Sequence, residues 1–160
     1  MPHLPQRALP EIYGTLGLQM STTDSCTLYF SISSFPPRPD IHDPLAGFGI
    51  LDVCKNELVS TVWFDDVSNV NLTVANDITV IKNTAYVSDT FGSQIFMVEN
   101  LDSPNHLQAK LYKNHEELLN PNGMENYGDR YLIVAAYYEG LDRVDTKKHT
   151  HQRIEDTSGL

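Results

Sequence analysis

The sequence predicts an all-β protein that forms part of a β-propeller. Short segments rich in β-branched and aromatic residues recur along the chain, each bounded by Asn, Asp, Gly or Pro. The nine glycines and nine prolines are scattered, which leaves no room for a long helix. The segments recur with a period of about 46 residues and four strands per period. This pattern is typical of a propeller blade, a twisted meander of four antiparallel strands.

The first repeat unit contains four predicted strands. They lie near residues 15–20, 26–33, 48–53 and 58–64. A Pro-rich insertion at residues 35–44 separates the second strand from the third. This segment is not predicted to be a strand, because proline cannot donate to a sheet ladder.

The second unit has predicted strands near residues 75–80, 84–89, 94–99 and 107–112. A shift of 46 residues places Asn76-Asp77-Ile78 over Asn122-Gly123-Met124, and then Tyr86–Asp89 over Leu132–Ala135 without a gap. The third strands keep the same register. Strand-like blocks that stay aligned over this distance indicate a structural repeat.

The third unit is predicted to have three strands, near residues 122–126, 130–136 and 141–145. Residues 146–160 are polar and charged and are predicted to form a disordered tail, and residues 1–13 an N-terminal extension. The three blades therefore span about residues 15–64, 75–112 and 122–145, within a propeller region of 14–145. A propeller typically has four to eight blades, so the ring is not expected to close within this chain.

Composition excludes several classes of function. The formal net charge is -10, with 11 Lys+Arg against 21 Asp+Glu, so nucleic acid is not an expected partner. No apolar run approaches the roughly 18 residues of a membrane span, and the N-terminus lacks the apolar core of a signal peptide. Localisation stays open, with the cytoplasm as the default. Cys26 and Cys54 are expected to be two buried thiols, and a disulfide is the alternative for an exported chain.

Three residues are candidate metal ligands: Asn76, Asn122 and Asp77. The two asparagines stand one repeat apart where the innermost strand of each blade begins, and in a propeller such side chains converge on the central channel. Amide oxygens and a neighbouring carboxylate suit a hard cation such as Ca²⁺. The alternative is that Asn-Asp and Asn-Gly only form turns, which both residue types favour.

These motifs resemble the senescence-marker-protein/gluconolactonase-like propellers. The order of segments, with the Pro-Pro-Arg insertion before Gly49-Ile50-Leu51-Asp52, looks most like the plant-type branch of that family. The resemblance covers roughly residues 14–145. The motifs that carry it are Ala75-Asn76-Asp77-Ile78, Ala85-Tyr86-Val87-Ser88-Asp89, Gln94-Ile95-Phe96-Met97-Val98, Pro121-Asn122-Gly123-Met124 and Tyr131-Leu132-Ile133-Val134-Ala135.

The resemblance implies a six-bladed propeller with calcium or another divalent cation in its channel, and hydrolysis of a lactone or ester at that metal. It implies that Asn76 and Asn122 are metal ligands and that Asp77 contacts a second calcium. Among the remaining ligands of the family, the early glutamate has only Glu11 as a candidate here. A later aspartate would fall beyond Leu160, so the site is expected to be catalytically incomplete in this chain.

Three functional hypotheses follow. The chain is a truncated propeller without catalysis, or a hydrolase whose ring is completed by a second copy of the chain. The third hypothesis is a non-enzymatic interaction module that recruits a partner through an open blade edge. Calcium binding and the state of association distinguish them.

Overall fold

The computed structural model describes residues 14–33, 46–68, 74–114, 118–137 and 139–154. These residues form twelve strands in three four-stranded antiparallel sheets, which confirms the prediction of an all-β partial propeller. The first sheet contains β1 (Leu18–Met20), β2 (Thr27–Ser33), β3 (Ala46–Asp52) and β4 (Glu57–Trp63). The second contains β5 (Ala75–Ile81), β6 (Thr84–Asp89), β7 (Gln94–Glu99) and β8 (Gln108–Lys113). The third contains β9 (Pro121–Tyr127), β10 (Tyr131–Ala136), β11 (Gly140–Asp145) and β12 (Thr150–Arg153).

Each sheet is a simple meander in which consecutive strands are hydrogen-bonded neighbours. Strand β7 of the middle sheet places apolar side chains on both faces, because that sheet is covered on both sides. The turns between them use residues that tolerate positive φ. Lys82 (φ 57°) turns β5 into β6, and Gly128 (φ 62°) turns β9 into β10.

The sheets stack face to face, and we call the face of each sheet toward the preceding unit its front face and the opposite one its back face. The back face of the first sheet packs on the front face of the second around the stacked rings of Phe64 and Phe96, whose centroids lie 4.2 Å apart. Buried aliphatic and aromatic residues from both sheets fill this interface: Tyr29, Phe48, Ile50, Ile78, Val87 and Val98.

The back face of the second sheet packs on the front face of the third. Within the second sheet, Tyr86 of β6 packs edge to face on Tyr112 of β8 on this back face, with 5.1 Å between ring centroids. The buried residues of this second cluster include Ile95 from the second sheet and, from the third, Met124, Leu132, Val134 and Val144. Each sheet therefore gains its buried area from its neighbours rather than from a core of its own.

The third sheet has a fourth strand at Thr150–Arg153, which the prediction of a disordered tail over residues 146–160 did not include; residues 155–160 lie outside the described residues. β12, Thr150–Arg153, pairs with β11 in antiparallel register. All four of its residues are exposed, so it carries no apolar pattern by which the sequence could reveal it. It is fixed by its backbone ladder and by Arg153, whose Nε donates to the buried carboxylate of Asp142 at 2.9 Å.

Cys26 and Cys54 form a disulfide, with 5.3 Å between their Cα atoms, so the expectation of two buried thiols is wrong. Cys26 precedes β2 and Cys54 lies in the turn between β3 and β4, where Cys54 is exposed. The meander brings these two ends together because Val53 N donates to Cys26 O at 2.8 Å. Oxidising compartments maintain bonds of this kind.

The gapless 46-residue alignment is wrong by one residue in the second strand of each unit. Ile78 pairs with Val87, and Met124 pairs with Val134, so Val87 corresponds to Val134 at a distance of 47 residues. The cause is the turn: two residues separate β5 from β6, whereas three separate β9 from β10. A shift of one residue exchanges the two faces of a strand, so the correct register is needed to compare the sheets.

Candidate functional site

Asn76 and Asn122 meet at the inner ends of two adjacent sheets. They lie near the start of β5 and β9, which run side by side. Asn76 Nδ2 donates a hydrogen bond to Asn122 Oδ1 at 2.7 Å. The one-repeat spacing in the sequence therefore becomes a direct contact between two amides from neighbouring blades.

The orientation of the Asn76 amide is held from a second direction. Its Nδ2 also donates to Thr90 Oγ1 at 2.9 Å, and the Thr90 hydroxyl in turn donates to the carbonyl of Pro121 at 3.0 Å. Both N–H groups of Asn76 are thus used, which leaves Oδ1 as the atom of this amide that could bind a cation. Asn122 Oδ1 accepts one bond and has a second lone pair.

Asp77 is placed between the sheets. Its Oδ2 accepts a hydrogen bond from the backbone N–H of Met124 at 2.6 Å, and its Oδ1 accepts one from Ile78 N at 2.9 Å. The carboxylate therefore ties β5 to β9, and this contact gives it a role in the fold. Its proposed contact with a second calcium stays a prediction.

Two buried serines connect neighbouring sheets through backbone atoms. Ser88 Oγ accepts from Asp77 N at 3.0 Å and donates to the carbonyl of Asn122 at 2.6 Å. Ser31 does the same one sheet earlier, since its Oγ accepts from Gly17 N at 2.8 Å and donates to the carbonyl of Asn76 at 3.1 Å. These bridges fix the backbone from which the two asparagines project.

The donor set fits part of the shell of a hard cation. Ca²⁺ takes six to eight oxygen ligands, and its affinity rises with the number of charged ones. Asn76 and Asn122 supply two neutral oxygens, which is at most about a third of such a shell. Glu11, the candidate for an early carboxylate ligand, lies outside the described residues. Among the residues that the structure describes, the one group of three potential acidic, His or Cys ligands is Cys26, Asp52 and Cys54, which contains the disulfide.

A cleft of about 480 Å³ opens beside Asn122 on the back face of the third sheet. Small side chains make it deep, and its lining residues are Asn122, Gly123, Ala135, Ala136, Tyr137, Gly140 and Leu141.

A buried carboxylate supports the other side of the Asn76 strand. Asp89 is fully buried, and its Oδ1 accepts from Val74 N at 2.9 Å and from Gly92 N at 3.0 Å. Gln94 Nε2 donates to its Oδ2 at 2.9 Å. Burial raises the pKa of Asp89 above its ordinary value, against the effect of these hydrogen bonds. Asp89 therefore holds Val74, the residue directly before β5.

The sequence analysis did not identify Thr90, Ser31 or Ser88 as parts of the site. Thr90 follows β6 directly, and the serines occupy the same register position of β2 and β6. A serine recurring at one position of successive second strands is the signal that could have found the bridges. Ser31 and Ser88 are 57 residues apart (88 − 31) because the insertion at residues 35–44 lengthens the first unit, so the 46-residue spacing did not align them.

Comparison with known proteins identifies the fold alone. No family model matches the chain, and no curated protein matches it. Among solved structures, the chain is similar to one described as "Crystal structure of Nidogen/Laminin Complex", with a TM-score of 0.65 and 15% sequence identity. The match covers 93% of this chain and 50% of that chain, so this chain spans about half the length of the structure it resembles. This likeness and the three stacked meanders show a β-propeller-like fold, while the resemblance to the senescence-marker-protein/gluconolactonase-like family stays a prediction.

Proposed function

We propose that the chain supplies the Asn76–Asn122 part of a divalent-cation site in a propeller that hydrolyses small lactones or esters. The observation that carries the proposal is the 2.7 Å contact of two asparagines from equivalent positions of adjacent blades. Turn formation alone explains an asparagine in each blade, but it does not require that the two amides meet. Calcium is the preferred cation, because neutral oxygen ligands suit a hard ion.

The remaining ligands in this proposal come from groups outside the described residues, and at least one of them is a carboxylate. When bound, the cation would polarise a carbonyl oxygen and lower the pKa of a bound water. Asn76 and Asn122 would position the ion, and Thr90 would hold the Asn76 amide so that its oxygen faces the ion.

The first experiment measures cation binding through stability. A ligand present at about 100 times its Kd stabilises the folded state by about 2.7 kcal/mol, so thermal unfolding with and without Ca²⁺, Mg²⁺ or Mn²⁺ detects a site. We expect Ca²⁺ to raise the Tm of the native chain, and Asn76→Ala and Asn122→Ala to abolish the rise. Asn126→Ala is the matched control, since Asn126 lies at the exposed end of the same strand as Asn122.

An unchanged Tm for the native chain in all three cations would overturn the proposed site. Hydrolysis is tested separately, with a panel of small lactones and aryl esters in the presence of the bound ion and after its removal by a chelator. A chain that binds the ion without chelator-sensitive hydrolysis would retain the site and lose the proposed reaction.

A further inference from the structure

The front face of the first sheet carries the same apolar pattern as the buried front faces behind it. The pairing registers identify equivalent positions in the three sheets: Leu18–Phe30, Ile78–Val87 and Met124–Val134. The exposed fraction of the side chain on the first strand distinguishes the first sheet from the other two. Ile78 and Met124 are 4% and 7% exposed, because a preceding sheet covers them, whereas Leu18 is 59% exposed.

The exposed apolar surface extends along the whole of β1. Leu16 and Met20, on either side of Leu18, are 49% and 44% exposed. Phe30 lies over Gly49, where a Cβ would come within 2.2 Å of its ring, so the glycine makes room for the aromatic side chain on this face. At Leu18 and Phe30 this face therefore corresponds to faces that another sheet covers elsewhere in the molecule, whereas Ile32, further along the same face, is already buried.

The back face of the third sheet is the complementary surface. In the first two sheets the back face covers the following sheet, and the serine bridges, Ser31 and Ser88, stand on it. The equivalent residue of the third sheet is Ala135, since it follows Val134 as Ser88 follows Val87. Ala135 lines the open cleft together with Leu141.

Gly123 gives a further sign of a missing neighbour. Its equivalent in the first sheet is Gly17, where a Cβ would stand 2.3 Å from the backbone oxygen of Asn76, so the second sheet approaches the first at a glycine; the middle sheet has Asp77 at this position. At Gly123 the nearest atoms, from Ala135 and Asp77, lie 3.9 Å from such a Cβ, which is ordinary van der Waals contact. A strand glycine without close contact weakens its strand, unless another backbone approaches it.

We propose that a second copy of this chain covers both faces, so that two chains form one closed ring of six sheets. The front face of each copy would pack on the back face of the other, which continues the interface already present twice within the chain. Three sheets are too few for a propeller, whereas two copies give six, within the usual range of four to eight. The proposal does not depend on the cation site, but the ring would bring a second Asn76–Asn122 pair to the same channel.

Charged side chains stand on the proposed interface, since Arg143 and Glu125 are both paired with Ile133 and therefore share its face. Arg143 occupies the back-face position that Ile50 and Met97 hold in the other sheets. Its guanidinium donates to Gln152 Oε1 at 3.0 Å and lies 5.2 Å from the ring centroid of Tyr131. Both partners belong to the third sheet, so the Arg143 guanidinium is already bound within its own sheet. Since each chain carries a net charge of -10, added salt should favour association by screening the repulsion.

The test is the mass of the native chain by size-exclusion chromatography with light scattering, over a wide range of concentration and at low and high salt. We expect a dimer that dissociates on dilution. Leu18→Arg should weaken it by at least about 100-fold, because the change occurs in both interfaces and places a charge against an apolar face. Phe91→Arg is the control, since Phe91 is 57% exposed in a turn of the middle sheet.

Ala135→Ser tests the geometry by a gain of affinity, which a folding defect cannot imitate. The new hydroxyl would accept from Gly123 N and donate to the carbonyl of Leu16 in the second copy, as Ser31 and Ser88 do within the chain. We expect the dimer to tighten about tenfold while the unfolding of the monomer is unchanged. Hydrogen exchange gives a measurement without substitution, because protection of β1 and β10 should rise with concentration.

Several outcomes would overturn the proposal. A monomer at every concentration means that a segment of the same chain, or no protein, covers the faces. A dimer that Phe91→Arg weakens as much as Leu18→Arg does not use the front face. A dimer that responds to Leu18→Arg but not to Ala135→Ser pairs front face to front face. Open assemblies larger than a dimer show that the ring does not close.

Discussion

The serine bridge between the second and third sheets should contribute a measurable part of the stability of the stack. Ser88 is fully buried, and its hydroxyl serves both Asp77 N and the carbonyl of Asn122. Ser88→Ala removes the hydroxyl without adding volume, so Asp77 N and the carbonyl of Asn122 each lose a hydrogen bond. Each backbone group left without its bond costs about 1–1.5 kcal/mol, so the free energy of unfolding should fall by about 2–3 kcal/mol. For a chain of this size that is roughly 4–12 °C in Tm.

Urea unfolding at equilibrium, followed by circular dichroism and Trp63 fluorescence, measures this loss. Ser60→Ala provides a graded comparison, since the Ser60 hydroxyl donates one bond, to the carbonyl of Pro104 at 2.7 Å, and should cost about half as much. Ser21→Ala removes a hydroxyl that accepts from Thr23 N and Asp24 N in a turn where water can replace it, and should cost under about 1 kcal/mol. If Ser88→Ala costs no more than Ser21→Ala, the bridges do not hold the sheets together and the reasoning fails.

Three further predictions concern the disulfide, the inter-sheet glycines and acid stability. Reduction of Cys26–Cys54, or Cys54→Ser, should lower the free energy of unfolding by about 3–4 kcal/mol for a loop of 28 residues, measured by urea unfolding with and without reductant. Gly17→Ala should cost about 1–3 kcal/mol, because its Cβ would meet a backbone oxygen, whereas Gly123→Ala should leave the unfolding of the monomer unchanged. The pKa of Asp145 is lowered from 3.8 to about 2 by its guanidinium partner and by backbone hydrogen bonds. A lowered pKa stabilises the fold above the unfolded value, so this contribution should be lost between about pH 4 and pH 2, and Asp145→Asn should flatten stability over that window in acid titrations followed by circular dichroism.

The sequence was sufficient to predict the class, the repeat and the position of eleven of the twelve strands of the described residues, because most of those strands have an apolar or β-branched pattern and the 46-residue repeat indicates β9. β12 could not be predicted in this way, since Thr150–Arg153 is polar and exposed and depends on its ladder with β11. The disulfide was equally hidden, because connectivity depends on the close approach of the two ends of a meander and not on the spacing of cysteines.

For the site, spacing alone was enough to bring Asn76 and Asn122 together, since equivalent positions of adjacent blades are neighbours in space. The residues that orient these two amides could not be predicted from spacing. Thr90 acts from the loop after β6, and Ser88 acts through a register that differs by one residue from the repeat. Asp77 shows the same limit, because its two backbone contacts depend on the distance between sheets, which a pattern of residue types does not contain.

The disulfide, which is the covalent cross-link of this chain, lies wholly within the first sheet and affects how the molecule unfolds. Cys26 and Cys54 join two ends of one meander, so the sheets can separate from one another without breaking any covalent cross-link. Stability should then behave as in a linear array, where each unit depends on its nearest neighbours. The middle sheet, packed on both sides, should open last, and the exposed β12 at the edge of the third sheet should exchange its amide hydrogens first. Unfolding of this chain should therefore proceed from the ends of the stack inward.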